Sequence, residues 1–370
     1  MTSGIKTKSL KGLALALSTF AASIPWSQAT AQDALENVRI AIAGTSFLDI
    51  SYFPLLLPSA LGYWEEEGYK AEVFPISGSS EAAQQLAADN IDFAQMAGAS
   101  IILANAQHSV PIRTLITNFA LGWGVAVKKD GPIKSAADLK GKNIGIVSVS
   151  TGGVSLVKSF VRKSGLDPDT DVTMIATGVG AQPLLALQND QVQALMYWSS
   201  ALVGFQSMDP NLTILKDPAW AELPDYSFAT SQKVIDEKPA MVEGISRGIA
   251  KAMVFAAANP DCVRQLQWKF YPDSKPTNVD EETAIANDLA KVSILLEDQA
   301  LASKLNPNGL VAGASAEAMG KYQDFLVEYG ILTEKVDPET LVIPDSLAFF
   351  TKINDFDSAA IEADAKACDY

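Results

Sequence analysis

From residue 38 onward, short runs rich in β-branched and other apolar residues alternate with segments whose apolar positions recur every three or four residues. That alternation predicts an α/β protein with mostly parallel sheets. A strand over 38–43 is followed by a loop over 44–52 and a helix over 54–67, which Gly68 closes. Next come a strand over 71–76, the loop Ser77-Gly78-Ser79-Ser80, a helix to Asp89 and a strand over 91–96. The second half repeats the order: strand 144–149, loop 150–153, helix to Ser164, strand 172–176, loop 177–180, helix to Asn189 and strand 192–196. A shift of 101 positions lays 86–96 on 187–197 and 71–76 on 172–177, at low identity. The repeat implies two similar lobes. Open parallel sheets bind ligands beyond the carboxyl ends of their strands, so two facing lobes surround one cleft with strand-end loops.

Between the sets, 112–118 and 123–127 read as strands, and Ser135 with Asp138 as a capping box. A proline-marked stretch, 217–224, precedes a return crossing over 226–231. The rest is helical (239–258, 280–301, 315–329, 346–353) and is expected to pack on the first lobe, making that lobe discontinuous. The expected division is 32–126 with 228–370 for lobe 1 and 127–227 for lobe 2.

Residues 1–31 read differently. Lys6, Lys8 and Lys11 precede a short apolar run over 13–24, Pro25 breaks it, and Ala29-Thr30-Ala31 is a small-x-small site. This is the pattern of a secretory leader cleaved after Ala31, and the apolar run is too short to span a bilayer. The expected product is soluble, periplasmic and monomeric. Export changes how the two cysteines read: Cys262 and Cys368 either form a disulfide, which an oxidising compartment favours, or remain one buried and one frayed thiol.

Composition removes chemistry. A formal charge of −15 disfavours nucleic acid, and no basic patch overrides it. With one histidine, His108 in a surface loop, and two cysteines, the chain lacks the material for Cys/His zinc sites, iron–sulfur clusters or a metalloprotease motif. No metal, no cofactor and no catalytic residue is expected.

The segments YFPLLLPSALGYWEEEGYKAEVFPISGSSEAAQQLAADNIDFAQMAGAS and SAADLKGKNIGIVSVSTGGVSLVKSFVRKSGL resemble the periplasmic solute-binding proteins of ABC importers. The likeness is to the branch that binds nitrate, sulfonates, taurine and thiamine-pyrimidine precursors. It implies a two-lobed type II periplasmic binding protein fold, a small solute in the cleft and a permease partner in the inner membrane. The implied solute is aromatic or heteroaromatic, or a small mono-anion or zwitterion. Pyrimidine-synthase enzymes share the fold but depend on a cysteine-rich segment and a reactive histidine, and this chain has neither. A stand-alone ligand sensor is the other alternative.

The candidate ligand loop is Ser150, Thr151, Gly152 and Gly153, where a helix N-terminus and small residues bring N–H groups to a ligand. An ordinary capped turn has the same sequence. Its lobe 1 counterpart, with Ser79, Ala97 and Gly98, already carries Glu81 in the first helical turn. Gly180 lies in the matching second-lobe loop. Phe47, Tyr52, Trp123, Tyr197, Trp198 and Phe228 supply aromatic surface at strand ends, and Asp49 could meet an amine or simply be solvated. The strand-end loops contain no Lys or Arg, which disfavours a multiply charged anion.

Overall fold

The computed structural model describes Met1, Thr2, Gly4, 35–44, Ser46, 48–344 and 348–370. The rest of the leader with its cleavage site, and Phe47, lie outside the described residues.

Among the described residues, ten strands form two five-stranded sheets. The strands are β1 (Glu36–Ala43), β2 (Tyr69–Ile76), β3 (Phe93–Met96), β4 (Ile112–Thr117), β5 (Trp123–Lys128), β6 (Lys142–Ile146), β7 (Val172–Ala176), β8 (Ala194–Trp198), β9 (Leu212–Leu215) and β10 (Ser227–Ser231). The first sheet runs β2-β1-β3-β10-β4 and the second β7-β6-β8-β5-β9. In each, three parallel strands come from the repeat: β1 pairs with β2 and β3 as β6 pairs with β7 and β8. The fourth strand is antiparallel and arrives from the other lobe, β5 beside β8 and β10 beside β3. The strand beginning at Trp123 therefore belongs wholly to the second sheet, and the chain crosses just before it. β9 was not expected: four residues at a sheet edge, mostly half-buried, leave no periodic signature.

The two crossings run side by side. Asn118 N–H donates to the Tyr226 carbonyl (3.1 Å), Asp225 N–H to Phe119 (3.0 Å) and Leu121 N–H to Leu223 (2.9 Å). The lobes are thus joined by a two-stranded antiparallel ribbon.

Most of the C-terminal tail packs on the first lobe, where Ile245, Ile249 and Met253 of helix Pro239–Ala258 enter its core. Helix Glu281–Leu305 departs from that expectation. It has apolar residues on more than one face: Val292 and Leu295 join a cluster with Phe53 and Phe255, while Ile294 lines a cavity with Leu202 and Val203 of the second lobe. Helix Ser358–Ala367 closes the chain, and Cys368 is bonded to Cys262 with Cα atoms 5.8 Å apart.

Candidate functional site

The strand-end loops of the two lobes meet. Ser148 Oγ donates to the Ser77 carbonyl (2.7 Å), and Ser80 N–H to the Ser150 carbonyl (3.3 Å). A Cβ on Gly78 would fall 2.4 Å from that Ser150 oxygen, and one on Gly152 would fall 2.4 Å from Ala97 Cβ. Glycine at both positions is what lets the backbones approach. Gly153 lies flat on the Trp123 ring, 2.6 Å from where its Cβ would be. Ser79 Oγ accepts the Ala97 N–H (3.0 Å), locking the first-lobe loop, and Glu81 accepts from both the N–H and the hydroxyl of Ser77. Those bonds hold the Glu81 carboxyl below the usual range.

Trp198 stands at the centre. Half-buried at the end of β8, it lines three adjoining cavities. One, about 20 Å³, lies between the loops and has Thr151, Gly152, Ser79 and Ala97 in its wall. Trp198 and the Thr151–Gly152 loop thus line one common space. The second cavity, about 450 Å³, is ligand-sized. Tyr52, Tyr197 and Trp198 give it aromatic surface, Gly180 turns its rim, and Gln267 and Lys291 supply polar groups from the tail helices. The third, about 30 Å³, lies against Trp123, Trp198, Tyr226, Ser199, Asp225 and Asp298.

Not every predicted residue faces a cavity. Phe228 is fully buried and stacks on Phe93 (5.1 Å between ring centroids) in the first sheet, because its strand is central there. Gly98 opens a helix and packs on the Pro224 carbonyl, 2.9 Å from where its Cβ would be. Asp49 lines the large cavity but has work of its own: Oδ1 caps the turn Ile50–Tyr52 from Ser51 N–H (2.9 Å) and accepts from Ser200 of the other lobe (3.3 Å). Tyr197 borders the large cavity but is fully buried, its ring packed on Trp198 and Phe205 and its hydroxyl tied to the Gly178 carbonyl (2.5 Å) and 2.9 Å from the Thr177 hydroxyl.

Sequence reasoning missed the acids behind the aromatics and the polar contribution of the tail. Asp225 Oδ2 accepts the Trp123 indole N–H (2.6 Å), and Asp298 accepts from Ser199 Oγ (2.5 Å). Asp225 is 3 % and Asp298 7 % exposed. Burial pushes their carboxyls up, to about 7 for Asp225 and about 6 for Asp298. A signal existed: Asp288 and Asp298 interrupt the buried stripe Ala284, Val292, Leu295, Ala302, where an acid needs a special reason. Lys291 pairs with Asp288 (2.9 Å) beside the large cavity.

A two-lobed α/β body with a cleft of this kind has relatives. The family model described as NMT1/THI5 like matches residues 50–262, more than half of the chain. The chain belongs to the NMT1/THI5-like family. Among curated relatives, this NMT1/THI5-like protein is similar to the riboflavin-binding protein RibY of Chloroflexus aurantiacus, 25 % identical over 252 residues, covering 66 % of this chain and 69 % of RibY. Among solved structures, the alkanesulfonate-binding protein SsuA from Xanthomonas axonopodis pv. citri matches with TM-score 0.59 at 15 % identity, covering 83 % of this chain and 98 % of SsuA. The periplasmic nitrate-binding protein NrtA from Synechocystis PCC 6803 matches with TM-score 0.59 at 14 % identity, covering 90 % and 89 %. These likenesses show the fold: a two-lobed type II periplasmic binding protein. The relatives are solute-binding proteins. Among the described residues of this NMT1/THI5-like chain, no helix is long and apolar enough to cross a membrane.

Proposed function

We propose that this chain is an extracytoplasmic solute-binding protein that captures a small organic solute carrying an aromatic or heteroaromatic ring and presents it to the permease of an ABC importer. The observation that carries this is the 450 Å³ cavity between the lobes, walled by Tyr52, Tyr197 and Trp198. Flat rings supply area with fixed shape, which suits a planar ligand. The name of the relative RibY supports a heteroaromatic ligand; it stands beside the cavity and does not replace it. In this reading Trp198 stacks on the ring with Tyr197 packed behind it, the loop Ser150–Gly153 closes over it, and lobe 2 swings on the ribbon formed by the two crossings. The leader is removed after Ala31 and the periplasmic product acts as a monomer.

The experiment is differential scanning fluorimetry of the whole chain against sulfonates, carboxylates, pyrimidines and flavins, followed by mass analysis of the released ligand. A ring compound should raise the melting temperature and be recovered unchanged. Chemical conversion of the ligand would place the chain with the pyrimidine-synthase enzymes instead. No response to any ring compound would remove the reading.

A further inference from the structure

The three cavities around Trp198 are lined by four carboxylates, Asp49, Asp225, Asp288 and Asp298, against one cation, Lys291, which is already paired with Asp288. Asp49 is occupied by its turn and by Ser200. That leaves the 30 Å³ chamber, where Asp225 and Asp298 share a wall with Trp123, Trp198 and Tyr226 and no basic residue joins them. Asp225 is nine-tenths buried and lines the chamber, and its Oδ1 has no hydrogen-bond partner. A buried carboxylate is costly unless a positive charge or donors meet it.

We propose that this chamber receives the protonated primary amine of the captured solute, its ring lying in the larger cavity on the other side of Trp198. The inference rests on the ring-capture reading above and adds the charge of the ligand. The size agrees: 30 Å³ holds roughly two waters, enough for an NH₃⁺ group and too little for a trimethylammonium. The amine donates to Asp225 Oδ1 and shares the field of Asp298. Trp198 Nε1–H, also buried and without an acceptor, is met by an oxygen next to the amine. A sulfonate or nitrate here would face carboxylates and find no free cation, so the cleft selects against the anions named for SsuA and NrtA.

The test is calorimetry on the whole chain with benzylamine and tryptamine, their N-acetyl derivatives, and benzenesulfonate, at pH 8 and pH 5.5. The amines should bind at least tenfold tighter than their N-acetyl forms at pH 8, and benzenesulfonate should bind least. Asp225→Asn should cost the amines at least tenfold and leave the N-acetyl compounds unchanged; Asp298→Asn repeats the comparison should the first variant fold poorly. Amine affinity should fall towards pH 5.5, as the two acids take up protons. The charged or titratable neighbours are Asp298, Tyr226 and Tyr322 around Asp225, and Lys216 and Glu297 around Asp298; burial raises both tyrosines and keeps them from titrating in this range. N-acetyl or sulfonate compounds binding as tightly as the amines, or an Asp225→Asn variant that keeps amine affinity, would overturn the amine chamber and leave ring capture standing. Failure of all five probes counts against both.

Discussion

At the scale of single residues the protein turns on an indole and a pair of acids. Trp198→Ala removes the wall common to three cavities while leaving the strand that carries it, so the protein should fold and lose about 2 kcal/mol of binding. The measurement is ligand-induced thermal stabilisation; an unfolded variant, or unchanged binding, would mark Trp198 as ordinary core. Asp225 predicts a pH signature in the ligand-free chain. Its carboxyl sits near 7 when folded, against about 4 when unfolded. Between those values the native state holds a proton that the unfolded chain has released, so this group's contribution falls as pH rises from about 4 and levels off above about 7. Urea titrations of the parent and Asp225→Asn at pH 4.5 and pH 8 should therefore differ in slope, by at most about 4 kcal/mol across the window. A pH-independent difference would mean the acid is solvated. The aromatics were legible in the sequence because ring residues cluster at strand ends. Asp225 and Asp298 were not: their role depends on two distant segments, the return crossing and a tail helix, converging behind Trp123.

At the scale of elements, closure depends on loops that touch. Gly152→Val places a branched side chain where even a Cβ meets Ala97 at 2.4 Å, so the lobes should stay apart. Small-angle scattering with saturating ligand should give a larger radius of gyration for the variant than for the parent, at nearly equal melting temperature; equal radii would show that this contact does not limit closure. The strands of both repeats could be read as short apolar runs bounded by turn residues, although β2 and β7 are only half-buried. The short edge strand β9 could not, and the assignment of β5 to the second sheet depends on pairing with β8, which no local pattern encodes. The long helix Glu281–Leu305 was legible as a helix, but its double allegiance was not, because a helix apolar on several faces names no single neighbour.

At the scale of the whole molecule, the leader and the disulfide make one expectation. Exported protein should begin at Gln32, which N-terminal sequencing checks, and an intact Lys6–Lys11 segment would speak against export. Non-reducing peptide mapping should recover Cys262 joined to Cys368, and Cys368→Ser should lower stability by about 4–5 kcal/mol on the loop-closure estimate. Two alkylatable thiols in the unreduced native protein would reject the bridge. The bridge spans a sequence separation of 106, and the segment it encloses contains the helix that touches both lobes. A newly made chain in a reducing compartment lacks this lock, so its unfolded state keeps the full freedom of that long segment and can still be threaded through a narrow pore. Oxidation beyond the pore removes that freedom and, with it, the way back. If the chain is exported as proposed, the cysteine pair acts as a one-way latch, setting the side of the membrane on which it reaches full stability.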